Sequence, residues 1–178
     1  MIEMSENERY EKALKDSGFE SFKVLSESWG IYALKDGSYL RLRANIIKIA
    51  RQTDYDGNMA FNVNANMTVG FIPPRNLRGN PAPRPPTPQE LSAAIVDSDV
   101  EFSTIEEEWS RYQLQDGIVI SVKPIPVTIA RTNIYDPNGE PIYNVNHQLL
   151  IKANIPEELR KKGIQAKTGT SGHPSFIT

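Results

Sequence analysis

The chain has 178 residues, a formal net charge of −2 and a pI near 5.8, so it lacks the overall positive charge of general nucleic-acid or membrane-surface binders. It has no cysteine, which excludes disulfides, thiolate nucleophiles and cysteine metal sites, and only two histidines, His147 and His173. It has no apolar leader and no membrane-length apolar run. We therefore expect a cytoplasmic protein without metal or cofactor.

The first predicted element is a short helix. Ser5 and Glu8 have the spacing of a capping box, in which each residue satisfies a free backbone N–H of the other at the start of a helix. The same spacing returns at Thr87 and Glu90, where Pro88 also suits a first helical position. The sequence therefore predicts helices at about residues 5–17 and 88–96.

A β-hairpin follows each helix. Asp36-Gly37 and Asp116-Gly117 stand between runs of alternating apolar residues, which is a strong short-range hairpin signal. Beyond each turn the alternation slips by one residue near Ile47 and near Val127, and such a slip indicates a bulge or a sharp bend in a strand.

The two predicted units are similar in sequence. When residues 22–58 are compared with residues 102–138, thirteen positions are identical, whereas unrelated sequences would share about two. The identities include Trp29 and Trp109, the two Asp-Gly turns, and Tyr55-Asp56 with Tyr135-Asp136. We interpret the chain as an internal duplication of one β-rich unit.

The predicted domain organisation follows from this duplication. Residues 1–73 form a first β repeat with an N-terminal helix, and residues 87–163 form a second with a leading helix and a short C-terminal helix. Residues 74–86 form a proline- and arginine-rich connector, which is expected to be extended. Residues 164–178 are rich in Gly, Ser and Thr and are expected to be a disordered tail.

The predicted fold class is mainly β with short helices. Four or five bent strands after a helix suggest a small β-barrel or half of a sandwich in each copy. A unit of this size buries too little surface to be stable alone, so the two units are expected to pack in pseudo-two-fold contact. Whether they share one core or form two barrels is left open.

Asparagine is unusually frequent in the last predicted strand of each copy. These residues alternate with apolar positions and so share the outward face. As asparagine is depleted in strands, the row indicates either a ledge that binds a sugar or a base edge, or a solvated face or seam between copies. The residues are Asn62, Asn64 and Asn66 in the first copy, and Asn144, Asn146 and Gln148 in the second.

Arg51 and Arg131 occupy the same position in the two copies, beside the recurring Tyr-Asp pair. Their parity places the aliphatic stem against the core, so the guanidinium needs a carboxylate partner. Asp56 and Asp136 or Glu27 and Glu107 are the candidates, within the same copy. The alternative is an anion-binding role for the arginines.

A basic strand distinguishes the first copy. Tyr39, Arg41, Arg43 and Lys48 combine cations with an aromatic ring, which is the pattern of a single-strand nucleic-acid surface. The segment Asp54–Asn58 has some of the oxygen spacing of a calcium loop, but tight-turn chemistry explains the same residues.

These features favour a non-enzymatic binding or scaffold protein that presents a duplicated β surface to a protein partner or to itself. The alternative is a nucleic-acid-binding module that uses the basic strand. An enzyme or small-ligand binder at the groove between copies ranks third, since no catalytic residue or metal site is predicted.

Overall fold

The computed structural model describes residues 2–160, 166–167 and 171–177, with side chains described up to residue 160. Two α-helices, two 3-10 turns and eleven β-strands are assigned over these residues. In chain order they are α1 (Glu6–Asp16), β1 (Phe22–Ser26), β2 (Gly30–Leu34), β3 (Tyr39–Thr53), β4 (Met59–Ile72), a 3-10 turn (Arg75–Leu77), α2 (Pro88–Ala93), β5 (Ile95–Asp97), β6 (Phe102–Glu106), β7 (Ser110–Leu114), β8 (Val119–Tyr135), β9 (Pro141–Asn154), a 3-10 turn (Glu157–Leu159), β10 (Ala166–Lys167) and β11 (Ser171–Ile177).

The strands form two sheets, so the protein is mainly β as the sequence predicted. The first sheet has the order β10-β4-β3-β2-β6, and the second has the order β1-β7-β8-β9-β11 with β5 added beside β8. The small barrel predicted for each unit is not found: over the described residues neither set of strands closes into a barrel.

The first strand of each half lies in the sheet of the other half. We call residues 1–73 the first half and residues 87–163 the second half. β1 of the first half pairs antiparallel with β7, and β6 of the second half pairs antiparallel with β2. Phe22 packs edge-to-face on Tyr112 and Phe102 on Tyr32, with ring centroids 5.6 and 5.8 Å apart. This exchange was not expected from the sequence.

The slips in alternation are bulges, as the sequence predicted. The register of β3 on β4 shifts between Ile46 and Lys48, and that of β8 on β9 shifts between Pro126 and Thr128. The bulged residues, Ile47 and Val127, are 46% and 47% exposed. A bulge bends a strand and increases its twist, which suits the long strands β3 and β8 that each cross two core regions.

The core consists of two clusters, and each one is built from both halves. The first contains Ala44, Ile49, Met59, Phe61, Val63, Tyr112, Leu114, Ile118, Ile120, Val122, Leu149 and Ile155. The second contains Tyr32, Leu34, Leu40, Leu42, Val100, Ile129, Tyr143 and Val145. The hairpin formed by β7 and the start of β8 therefore packs on the end of β3 and the start of β4. In the same way, the hairpin formed by β2 and the start of β3 packs on the end of β8 and the start of β9. His147 is buried on this inward side, as its parity predicted.

Both predicted helices are present, with capping boxes at Ser5 and Thr87. No residue of α1 is buried, whereas α2 is shorter than predicted and buries Leu91. The connector is attached to the second half, since the amide of Gly79 donates to the carbonyl of Gly139 at 2.9 Å and that of Ala82 to the carbonyl of Tyr135 at 3.0 Å.

The C-terminal segment differs from the disordered tail that composition predicted. β10 adds in parallel to Met59–Ala60, and β11 adds antiparallel to β9 from Tyr143 to Leu149. Strand addition satisfies backbone N–H and C=O groups along an otherwise unpaired sheet edge, which composition does not reveal. The other positions of the predicted tail, 164–165, 168–170 and 178, lie outside the described residues.

Candidate functional site

The chain crosses between the two sheets at two points, and a glutamate and a tryptophan lie in each crossing. After β1 the chain leaves the second sheet and enters the first at β2, and after β6 it makes the reverse crossing into β7. Glu27 lies in the first crossing and Glu107 in the second. The hydroxyl of Tyr112 donates to Glu27 at 3.1 Å, and that of Tyr32 donates to Glu107 at 2.8 Å.

Each of these glutamates contacts a buried tyrosine on one side and a cation of the outer surface on the other. On the surface side, Glu27 forms an ion pair with Arg43, and Glu107 forms one with Lys123 at 3.3 Å. Burial raises the pKa of the Tyr32 hydroxyl, and its hydrogen bond to Glu107 adds to this effect. The tyrosine therefore remains a neutral donor to the carboxylate.

Each crossing ends in a tryptophan, and two cationic side chains lie against the ring of each one. The guanidinium carbons of Arg41 and Arg43 lie 4.2 and 5.6 Å from the ring centroid of Trp29. A cation over an aromatic ring is attracted by the negative face of the ring. The arrangement thus holds the ring and the two arginines together on the outer surface of the first sheet.

The same arrangement is present on the second sheet with lysines. The ammonium groups of Lys152 and Lys123 lie 4.2 and 4.9 Å from the ring centroid of Trp109. From sequence alone, Trp109 suggests only a core, lid or inter-copy role. The structure instead places it at the surface, together with cations from β8 and β9.

The outer surface of the first sheet is called the first face. The register of β3 on β4 sets Arg41 beside Gly70, Arg43 beside Thr68, Asn45 beside Asn66 and Lys48 beside Asn64. The nucleic-acid candidates and the asparagines of the first copy therefore share one surface. It comprises Trp29, Tyr39, Arg41, Arg43, Asn45, Lys48, Asn62, Asn64, Asn66 and Thr68.

The outer surface of the second sheet is called the second face. Here the register sets Ser121 beside Lys152, Lys123 beside Leu150, Ile125 beside Gln148 and Thr128 beside Asn146. Arg111 of β7 lies beside Ser121 on its other side. The second face comprises Trp109, Arg111, Lys123, Thr128, Asn144, Asn146, Gln148 and Lys152, with the buried Ser121 between Arg111 and Lys152.

The asparagines do not form a seam between the halves. Asn62, Asn64 and Asn66 are exposed on the first face, and Asn146 and Gln148 are exposed on the second. Asn144 is half-buried. Because the inward sides of the two sheets share the same core clusters, the two faces point away from each other. Asn146 donates to Thr128 at 2.7 Å and Asn45 to Thr68 at 2.5 Å, so amides and hydroxyls are bonded along both surfaces.

The two repeated arginines bind carboxylates of the opposite half. Arg51 donates to Asp116 at 2.7 Å, and its Nε lies 3.0 Å from Glu20. Arg131 donates to Asp36 at 3.1 Å, and the same carboxylate accepts from Tyr143 at 2.8 Å. The residues predicted as partners, Asp56 and Asp136 or Glu27 and Glu107, are not the ones found, because β3 and β8 carry these arginines to the hairpin turn of the other half. Arg51 does also pair with a carboxylate of its own half, Glu20.

The repeated Tyr-Asp pair is not equivalent in the two halves. In the first turn the carboxylate of Asp54 accepts from the amides of Asp56 and Asn58, and in the second that of Asp136 accepts from the amides of Asn138 and Glu140. Asp54 thus matches Asp136 in the structure, so the extra residues of the second half precede the turn. The carboxylate of Asp54 is engaged in shaping this turn.

The basic strand of the first half is only partly available. Arg41 and Lys48 are exposed, and Tyr39 is 46% exposed, whereas Arg43 is paired with Glu27. Lys48 lies over the ring of Phe19, 4.7 Å from its centroid. On the second face, Arg111 and Lys152 are exposed cations that sequence analysis missed. The outward parity of Trp109, opposite to that of Tyr112, was the signal that could have identified this surface.

Two surface clefts are each lined by one of the repeated arginines. One of about 660 Å³ lies between α1 and the end of β3 and is lined in part by Leu14, Phe19 and Arg51. Another of about 390 Å³ is lined by Lys35, Asp36, Asp97, Asp99, Glu101 and Arg131. Within the described residues, no group of three or more His, Asp or Glu side chains has an arrangement that could hold a metal ion.

Comparisons of the chain with known protein families, with curated proteins and with solved structures found no match. None of the described helices combines the length and the apolar character needed to cross a bilayer.

Proposed function

We propose that this is a non-enzymatic binding protein, built from two copies of one unit, that presents its first and second faces to a protein partner. The observation that carries the proposal is the repetition of one surface arrangement: a tryptophan with two cations beside a row of amides on each sheet. These side chains point away from the core, so packing alone does not account for their recurrence.

The exchanged contacts support the duplication. The pair Tyr32–Glu107 is matched by Tyr112–Glu27, and Arg51–Asp116 is matched by Arg131–Asp36. In every case the two partners belong to opposite halves. Such reciprocal contacts are typical of a two-fold arrangement, in which residue i contacts j and the equivalent of j contacts the equivalent of i.

The composition of the faces favours a protein as the partner. Ile47 and Val127, the bulged residues of β3 and β8, are aliphatic and about half exposed, and each is followed in the chain by a residue of its face, Lys48 or Thr128. Tryptophan, tyrosine and arginine are enriched in the centres of protein–protein interfaces, and exposed aliphatic side chains gain free energy when a partner covers them. Because the faces point in opposite directions, one chain could hold two partner molecules.

Site-specific photocrosslinking in the native cells tests this proposal. A photoreactive residue is placed at Ile47 or at Val127, and a control is placed at Ser92, which is exposed on α2. We expect one protein, or a second copy of the chain, to crosslink from both face positions and not from the control. That partner should then bind the purified chain. The same crosslinks from all three positions, or none from the faces, would overturn the proposal.

A second candidate function is the binding of single-stranded nucleic acid on the first face. It is favoured by one specific observation: Tyr39, Arg41 and Lys48 lie on the strand next to Asn62 and Asn64, so cations, an aromatic ring and amides share one surface. Binding by this surface should weaken steeply with salt, with a log–log slope of about −0.7 for each phosphate contacted. Absence of binding to oligothymidylate at low salt would remove this candidate.

A further inference from the structure

We infer that the second face binds an acidic, extended segment of a protein partner, with the exposed Arg111 and Lys152 contacting its carboxylates beside Trp109. This inference rests on the proposed function and names the chemistry of the partner. It concerns two cations that the sequence repeat does not bring together, because Arg111 lies in β7 and Lys152 in β9.

The sheet register brings these cations together. Arg111 and Lys152 are the direct neighbours of Ser121 on its two sides, and neighbouring strands lie about 4.8 Å apart. The two cations therefore lie about 9.6 Å apart across the strands, so an extended segment that crosses this surface could place one acidic side chain at each of them.

Most of this positive charge is not neutralised within the described part of the protein. Glu107 is paired with Lys123, and both side chains are about four-fifths buried, with 24% and 19% exposed. Arg111 and Lys152 are exposed, as is Lys23 on the adjacent edge strand β1. Within residues 2–160, no carboxylate lies at ion-pair distance from these last three. Three such cations on one sheet surface of a chain with net charge −2 are complementary to an acidic partner.

A protein segment fits this surface better than a nucleic acid. Nucleic-acid bases stack on open aromatic faces, but Lys152 already lies 4.2 Å from the Trp109 centroid, so a base could stack there only by displacing a cation. Leu150 lies beside Lys123 and Ile125 lies two residues further along the same strand, and both are partly exposed, so they can contact apolar side chains of a peptide.

Tryptophan fluorescence allows the two faces to be tested separately. The chain has two tryptophans, one on each face, so Trp29→Phe leaves Trp109 as the sole reporter. Titration of this variant with oligoglutamate should change its fluorescence saturably, and oligoglutamine should leave it unchanged. Lys152→Gln and Arg111→Gln should each weaken binding about threefold, and the double substitution about tenfold.

Lys48→Gln on the first face is the matched control, because it removes one exposed cation without altering the second face. It should leave oligoglutamate binding to the Trp109 reporter unchanged. The inference is overturned if Trp109 does not respond at low salt, if the control weakens binding as much as Lys152→Gln, or if oligothymidylate binds this face more tightly than the peptide. If any of these results is obtained and a partner still crosslinks from Val127, the proposed function stands. Only the inference that the partner segment is acidic is then refuted.

Discussion

Replacing Arg51 with methionine keeps the aliphatic stem of the side chain and removes the guanidinium that ties β3 to the hairpin turn of the second half. The lost contacts are the hydrogen bond to Asp116 at 2.7 Å and the ion pair to Glu20 at 3.0 Å. The three side chains are between 20% and 32% exposed, so water screens them incompletely. Loss of a hydrogen-bonded charge costs about 1–3 kcal/mol, and this partial exposure favours the lower half of that range.

A double-mutant cycle measures the Arg51–Asp116 interaction itself. The free energy of unfolding is obtained from urea denaturation of the parent, Arg51→Met, Asp116→Asn and the double variant. We expect a coupling energy of about 1 kcal/mol, since contacting residues in one charged network are not additive. Asp56→Asn is the control. Asp56 is a partner of Arg51 expected from the sequence, but it lies in the turn between β3 and β4, whereas Asp116 lies in the turn between β7 and β8. It should show no coupling to Arg51.

The pH dependence of stability provides a second readout of the same contact. Burial alone would raise the pKa of Asp116, but the hydrogen bond and charge of Arg51 outweigh it, so the pKa lies below its ordinary value of 3.8. The resulting stabilisation is present above pH 3.8 and is lost as the pH falls through the lower folded-state pKa. Arg51→Met should flatten this decline. A coupling energy near zero, or unchanged stability with lost partner binding, would refute the structural role.

Three other changes have expected outcomes. Tyr32→Phe removes the donor to Glu107 and should lower the free energy of unfolding by about 1–2 kcal/mol in urea denaturation. Burial raises the pKa of Tyr143, so its contribution to stability should be present below pH 10 and lost above it, and its phenolate should appear by ultraviolet absorbance only as the chain unfolds. Asn62→Ala and Asn64→Ala alter exposed side chains and should each change the free energy of unfolding by less than about 0.5 kcal/mol; larger losses would place these amides in a structural network.

Local features of this fold were predictable because they depend on neighbours in the chain. Asp-Gly turns require a residue that adopts positive φ, and Gly37 and Gly117 have φ values of 93° and 90°. The alternation of apolar residues determines which side of each strand is buried, so Val63 and Val145 lie inside and Asn64 lies outside. The slip in alternation at Ile47 likewise indicates a bulge from the residues of one strand alone.

Strand partners were not predictable, because pairing joins residues that are distant in sequence. Nothing in the five residues of β1 distinguishes pairing with β2 from pairing with β7, since either partner offers the same backbone groups. This single ambiguity accounts for two errors. A barrel is expected only if each unit pairs with itself, and for the same reason Asp116 is not expected as a partner of Arg51, which pairs with it as well as with Glu20 of its own half.

The candidate surfaces depended on the same non-local information. The outward parity of the asparagines and of Arg41 was readable from one strand at a time, and the structure agrees with it. The cluster around Trp109 requires the register of three strands, so sequence alone left Arg111 and Lys152 unassociated. The parity of the tryptophan indicates a surface role, but not which cations meet there.

The exchange of strands also determines whether either half can fold alone. The first half in isolation would lose β6 from the edge of its sheet, the acceptor of Tyr32 and the Asp116 partner of Arg51, and the second half would lose the equivalent strand, acceptor and carboxylate. Both core clusters would lose the residues contributed by the other half. A domain the size of one half buries only about 60% of its surface even with a complete core, so these losses exceed its margin of stability.

Residues 1–86 and 87–178 expressed separately should therefore show little strand signal by circular dichroism, and mixing them should restore it together with a single cooperative unfolding transition. Mixing supplies each half with the strand and the acceptors it lacks, and it does so at a rate that depends on concentration, because association is bimolecular. A separate half with native strand content and cooperative unfolding would contradict this reasoning. It would mean that the first strand can fold back onto its own hairpin, and that the exchanged pairing is one of two arrangements of similar free energy.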